Sequence, residues 1–274
     1  MRYRIIILAL TLSLLSSQSI FNRWNGSNPF VGSARSTAMG ETHLLNSSGS
    51  SKVRFNPSKL GSQDSNIGVD FQINSTSIFE RWSMPVRDSF GEFLTNADYV
   101  ANEYKYYNIT AGVFGSIKFT NIGNVGFGIY HSPLTNFTYQ YSEEVRGSYS
   151  IEDGEYASKD PIVGYQNINI NGRLMLTSIG SSLKLNSIPI SFGLANNFIL
   201  SSTLKDQVEV DTLYANVTNL SEFPDVDLDY ALPSSNFISL SSNIDLNPQI
   251  NIGFSFEEST LIKTNKAQVS IDSS

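Results

Sequence analysis

Few residues in this sequence have the type and spacing to do chemistry. The two histidines are His43 and His131. Neither stands in an H-E-x-x-H pair or near a G-x-S-x-G elbow, so neither a zinc site nor an activated serine can be assigned. Cysteine is absent, which removes thiolate metal ligands, disulfides and thiol nucleophiles. Asp225, Asp227 and Asp229 have the alternate spacing that can turn carboxylates toward a calcium ion, but no turn glycine follows where a calcium loop needs one. That stretch reads first as a solvated loop, as does the acidic run from Glu143 to Asp160. Gly123, Gly126 and Gly128 imitate part of a nucleotide-binding fingerprint, yet they cross a hairpin and lie in strand sequence. The residues therefore point away from an enzyme, with no catalytic residue, no cofactor and no metal expected.

The elements that would carry any site are strands. Only 16% of the 274 residues are charged, and Ser, Asn, Thr and Gly fill the gap. Such a composition suits strands and turns more than long helices. A net charge of -7 supplies no basic patch, so nucleic acid is not an expected partner. Strict alternation recurs along the chain. Ile67, Val69, Phe71 and Ile73 alternate with polar neighbours, as do Ile109, Ala111, Val113, Ile117 and Phe119. Further runs hold Val125, Phe127 and Ile129, then Ile188 to Phe198, Ile238 to Leu246, and Ile250 to Phe256. A period of two puts one set on each face of a strand. Many runs approach about ten residues, the length that a tilted membrane strand requires. Short connections at 120–124, 186–187 and 247–249 alternate with long polar ones at 75–106, 132–167 and 201–235. Alternate connections of an up-and-down barrel emerge at opposite ends, and outer-membrane barrels pair short turns at one end with long loops at the other. Tyr106, Tyr107, Tyr130, Tyr139 and Tyr141 lie near run ends, where an interfacial aromatic girdle is expected. Leu174-Met175-Leu176 reverses the apolar phase of its run, which predicts a bulge there or a hairpin at Asn171-Gly172.

The first residues have a different logic. Arg2 and Arg4 precede an apolar stretch from Ile5 to Leu15, too short to cross a bilayer, followed by Ser17-Gln18-Ser19. This pattern predicts a secretory signal peptide over residues 1–19. No later stretch reaches the length of a spanning helix, so a membrane location would require a barrel. The expected fold class is all-β: an antiparallel up-and-down outer-membrane β-barrel with about eight strands present.

The segment after the predicted cleavage point adds a resemblance. Gly32-Ser33-Ala34-Arg35 and Ala38-Met39-Gly40 are followed by Asn56-Pro57-Ser58-Lys59-Leu60. In order and spacing these resemble the opening of the FadL-type long-chain fatty-acid transporter superfamily, whose members show Gly-Ala-Arg-x-x-x-Met-Gly and then Asn-Pro-Ala-Gly-Leu. Ser58-Lys59 stands where the family has Ala-Gly, and Gly40-Glu41 where it has Gly-Gly. Pro248 to Gly253 also resembles a later strand opening of the family. The resemblance implies a barrel of about fourteen strands and a plug or hatch inside it. Residues 20–62 would be that plug, with Gly32, Ala34, Arg35, Met39, Gly40, Asn56 and Pro57 as its motif, and 63–274 the barrel domain. The chain ends Val269-Ser270-Ile271-Asp272-Ser273-Ser274 without the aromatic of a closing strand, so an N-terminal fragment is expected.

What the resemblance implies is passive passage of hydrophobic compounds such as long-chain fatty acids across the cell outer membrane. The partners would be outer-membrane lipid, the barrel-assembly machinery and a hydrophobic small molecule. Lys118, on the polar face of its strand, is the candidate anchor for a carboxylate, against a reading in which it is solvated beside a turn. PorV-like relatives, which serve protein secretion, share the same motif and give an alternative. A soluble secreted β-protein or adhesin is the third reading.

Overall fold

The computed structural model describes residues 26–63, 67–146, 162–213, 226–247, 250–263 and 265–270. The predicted signal peptide, Asp225 and the Pro248-Gln249 turn lie outside the described residues. Twelve strands are seen among those described: β1 (Ile67–Arg87), β2 (Phe93–Phe119), β3 (Gly123–Asn136), β4 (Tyr139–Arg146), β5 (Ile162–Asn171), β6 (Arg173–Leu185), β7 (Ile190–Ile199), β8 (Ser202–Thr212), β9 (Val226–Leu232), β10 (Ser235–Asn247), β11 (Ile250–Glu257) and β12 (Asn265–Ser270). They form two antiparallel sheets. The larger has seven strands in the order β1-β2-β3-β6-β7-β10-β11, and the smaller has five in the order β12-β9-β8-β5-β4. The larger sheet curls into a half-barrel. Ahead of β1 run three helical turns, α1 (Ala34–Ala38), α2 (His43–Asn46) and α3 (Lys52–Phe55), with 3-10 turns at Gly49–Ser51 and Pro57–Ser62.

The chain crosses repeatedly from one sheet to the other. The chain passes from β3 to β4 across Phe137-Thr138 and from β5 to β6 across Gly172. It passes from β7 to β8 across Leu200-Ser201 and from β9 to β10 across Pro233-Ser234. The breaks lie at one level, so the smaller sheet continues the larger one away from its short turns. Asn171-Gly172 is therefore a break in a through-running strand and no hairpin: the Gly172 carbonyl accepts a hydrogen bond from the Phe137 amide at 2.9 Å.

Three expectations change at this point. The long connections are largely strand. β1 and β2 run on to a tight turn at 88–92, and β4, β8 and β9 occupy parts of the predicted loops. In β4 and β8 the apolar residues are sparse and set among charged ones, which hid the alternation, whereas β9 alternates Val226, Leu228, Tyr230 and Leu232 with Asp227, Asp229 and Ala231 over only seven residues. Asp227 and Asp229, and Glu143 and Glu144, consequently sit on strands. β6 keeps its own alternation through Leu174-Met175-Leu176, and the expected bulge lies beside it on the partner strand β3, where the register shifts between Pro133 and Thr135 opposite Met175 and Leu174. Leu174, Leu176, Ser178 and Ser182 all face inward and are buried. What reverses is which face is apolar. Finally, Tyr106, Tyr130, Tyr139 and Tyr141 are buried on the inner side, and only Tyr107 is exposed.

That reversal organises the whole larger sheet. Toward the short turns the outer face carries exposed apolar side chains: Phe71 at 64% exposure, with Ile109, Val113, Phe127, Ile129, Leu194, Leu240 and Phe254 alongside. The inner face there is polar or minimal, with Thr110, Ser116, Ser182, Asn197, Ser239, Ser241 and Asn243 buried. Beyond the level of the breaks the inner face becomes the apolar one. Val100, Tyr104, Tyr106, Tyr139, Ile170, Leu176, Ile199, Leu204, Leu232 and Phe237 form a single buried cluster.

Candidate functional site

The polar inner face near the short turns is covered by the N-terminal segment, and residue types on both sides explain the fit. The strands offer glycines where the segment comes closest. A Cβ on Gly193 would lie 2.1 Å from the Ser58 amide nitrogen, and one on Gly126 would lie 2.3 Å from the Leu60 carbonyl carbon. Backbone can approach there only because neither position has a side chain. The strands also supply hydroxyls that take up amides which the short 3-10 turn cannot pair internally. The Gly61 amide donates to Ser182 Oγ at 2.6 Å, and the Ser58 amide to Ser241 Oγ at 2.8 Å. Further along, the Gly32 amide donates to the Tyr130 hydroxyl at 3.0 Å. Val53, Leu60, Tyr130 and Ala195 fill the space between as a small buried apolar cluster.

Both ends of the curled sheet hold the segment. Asp70 on β1 accepts from the amide and the hydroxyl of Ser50. Glu257 on β11 pairs through both oxygens with the Arg54 guanidinium, which also lies over the rings of Phe55 and Phe237.

The predicted motif residues divide into two groups. Gly32, Asn56 and Pro57 are buried in the contact. Gly32 has φ +93, and a Cβ there would lie 2.9 Å from the His43 ring, so only glycine satisfies both the backbone and the neighbour. Asn56 is buried and donates to the Leu44 carbonyl at 2.7 Å while accepting from Ser58 Oγ at 2.5 Å. It braces α2 against the 3-10 turn that follows. Ala34, Arg35, Met39 and Gly40 are exposed and make no part of this contact. The small residues that matter most for close packing are on the strands, a signal visible in sequence only as glycines in inward positions. Gly40 and Glu41 both adopt positive φ, +77 and +60, and glutamate is an unfavourable occupant of that region. Lys118 is exposed near the end of β2, opposite Asn124, and the structure does not bring it to the site described next.

Where the inner face changes from polar to apolar, a cavity of about 220 Å³ remains between segment and strands. Asn28, Val31, Glu41, His43, Arg54 and Phe55 line it from the segment, and Pro133, Leu134 and Leu176 from the strands. His43 stacks on Phe55 with ring centroids 4.1 Å apart. Its Nδ1 lies 3.0 Å from Ser36 Oγ, which in turn donates to the Ser33 carbonyl at 2.8 Å. Ser36 is wholly buried, so this Ser–His pair, which spacing did not suggest, serves as helix bracing. Burial, with a smaller contribution from the Arg54 charge, lowers the His43 pKa below its ordinary value and keeps the ring neutral. His131 faces Thr177 Oγ1 at 2.9 Å, away from this cavity. Groups of three or more His, Asp or Glu able to hold a metal are absent among the described residues.

Comparison with protein-family models, curated proteins and solved structures finds no match to this chain.

Proposed function

We propose that this chain forms part of the wall of an outer-membrane barrel, with the segment up to about Ser62 as its internal plug, and that it passes hydrophobic compounds such as long-chain fatty acids. The observation that carries the reading is the exchange of apolar and polar faces. Exposed apolar side chains on the outer face of the larger sheet, over a polar inner face, are the reverse of a soluble β-domain and suit a lipid exterior. From Ile109 to Phe119 the outer apolar row of β2 covers about 34 Å along the strand, or roughly 24 Å of height at a barrel tilt of about 45°. That height matches the apolar band of an outer-membrane barrel, about 25 Å. The resemblance of Gly32 to Leu60 to the FadL-type opening agrees with it. No helix among the described residues is long and apolar enough to cross a membrane, which leaves strands as the spanning element.

Fractionation of cells expressing the protein tests the location. Recovery in the outer membrane with heat-modifiable gel migration is expected, and a soluble periplasmic pool would favour a secreted β-protein instead. Uptake of labelled long-chain fatty acid in a deletion strain tests the activity. A PorV-like role in protein secretion is the second reading. It is favoured by the β1–β2 ribbon, which exposes Trp82, Met84, Phe90 and Phe93 at the end opposite the short turns, where a protein partner would meet them. Unchanged uptake alongside a secretion defect would select it.

A further inference from the structure

We propose that two copies of this chain close one barrel between them, with β1 of each copy lying against β11 of the other at two seams. The proposal rests on the reading of the outer face as lipid-facing and names what completes the wall.

The need for a partner follows from the edges. β1 and β11 each have a single neighbouring strand in the larger sheet. Both carry exposed apolar rows, Ile67, Val69, Phe71 and Ile73 on β1, and Ile250, Ile252, Phe254 and Phe256 on β11. Hydrocarbon offers no water to the open N–H and C=O groups of such edges, so a sheet inside a membrane has to close.

Seven strands cannot close on themselves here. A barrel of about eight strands has an interior just wide enough for its own side chains. This sheet curls around a segment whose helical turns are each about 10 Å across. The segment also stands between the two edges: the Ser50 amide donates to Asp70 on β1, and Arg54 pairs with Glu257 on β11.

Height and direction select a second copy as the partner. Followed through the paired residues, Ile67 on β1 is level with Gly115, Phe127, Ser181, Leu194, Leu240 and then Phe256 on β11. β11 begins at Ile250, six positions before Phe256 and so nearer the short turns. That offset is about 20 Å along the strand against about 29 Å across the sheet. A strand tilt of about 35°, within the range of membrane barrels, cancels it, so both edge strands start at one height. Every neighbouring pair in the sheet is antiparallel, so β1 and β11 both run away from the short turns. A twofold axis along the barrel keeps both copies in one membrane orientation and sets β1 of each beside β11 of the other, in parallel. Ile67 to Ile73 then meet Ile250 to Phe256 at one depth, and no edge is left open. A twofold axis in the membrane plane would pair β1 with β1 but invert one copy. Over the eight residues of β11 an edge is about 26 Å long and about 10 Å deep. The four edges together bury about 1,000 Å², the area a specific interface requires.

The chain has no cysteine, so introduced pairs report the seams directly. The unaltered chain, folded in detergent micelles, is expected to sediment at twice its mass of 30.3 kDa. In phosphatidylcholine vesicles under oxidation, chains carrying Val69→Cys mixed with chains carrying Ile252→Cys should give a covalent dimer. Same-face side chains meet across a parallel pair only at even offsets, so Ile250→Cys replaces Ile252→Cys as the partner if the seam is shifted by two residues. Val69→Cys alone should give no cross-link, because β1 never meets β1. The chain carrying both Val69→Cys and Ile252→Cys should stop at a dimer. A monomer mass in micelles, a disulfide within one chain, a cross-link from Val69→Cys alone or a ladder beyond the dimer would each overturn the proposal. A monomer found in the outer membrane removes the dimer and leaves the barrel reading standing, whereas a soluble periplasmic pool removes that reading itself.

Discussion

At the scale of single residues, the contact between segment and sheet depends on what is missing as much as on what is present. Gly193 and Gly126 clear the way for backbone, and Ser182 and Ser241 then meet the amides that arrive. Gly193→Val puts a branched side chain into the Pro57-Ser58 backbone, and overpacking of this kind costs about 1–3 kcal/mol. The expected result is a lower midpoint in chemical denaturation together with faster proteolysis within residues 50–63. Val in place of the outward Leu194, one residue on, should leave the proteolysis unchanged. Glu41 gives the opposite case. It holds φ +60 where the resembled motif has glycine, and a non-glycine residue in that region costs about 1 kcal/mol or more. Glu41→Gly is expected to raise stability by about 1 kcal/mol, read as a shift of the same denaturation midpoint.

At the scale of elements, each long strand carries two half-strands of opposite polarity, and the change occurs near the level where β3, β6, β7 and β10 meet the breaks. The apolar rows at Ile109–Phe119 and Phe127–Ile129 were legible in the sequence, because alternation there is strict and one face is plainly apolar. β4 and β8 were not, because their few apolar side chains point inward to a cluster assembled from distant segments, including Tyr104, Ile170 and Leu232. A lone inward tyrosine among acidic residues gives no periodic signal. The outward rows carry a direct prediction. Ile129→Lys places a charge in the outer apolar band, where a barrel in lipid loses about 2–4 kcal/mol near the midplane. Folding into lipid vesicles should be impaired by that change. It should be almost unaffected by Leu94→Lys, which lies on the exposed β1–β2 ribbon beyond the band. Equal effects from the two variants would remove the membrane assignment of the outer face.

At the scale of the whole molecule, the N-terminal segment is tied to both ends of the curled sheet, through Asp70 on β1 and Glu257 on β11. Its hold is expected to depend on pH through His43. Burial and Arg54 lower that pKa, so the docked state binds a proton less readily than the undocked one. The groups facing the ring are Ser36 from α1, Arg54 and Phe55 from α3, with Glu41 beside the same cavity. The contribution of neutral His43 is therefore complete above its ordinary value of 6.5 and lost as the pH falls below it. Proteolysis of the segment should accelerate between about pH 7 and 5, and His43→Phe should flatten that dependence. A profile identical in the two proteins would remove His43 as the source of the acid sensitivity.

The sequence by itself determined that the chain is built of alternating strands joined by short turns at one end, and that a glycine-bearing, Asn-Pro-containing segment precedes them. Local periodicity and turn chemistry are enough for that, since both act between residues a few positions apart. Only the tertiary structure decided that the strands curl around that segment, that the tyrosines point inward and that His43 faces a cavity. It also separated the contacting motif residues Gly32, Asn56 and Pro57 from the exposed Arg35 and Met39. Those features come from contacts across long separations, such as Gly61 with Ser182 and Arg54 with Glu257. Which face of a strand is the inner one is set by what fills the curl, and no stretch of a single strand contains that information.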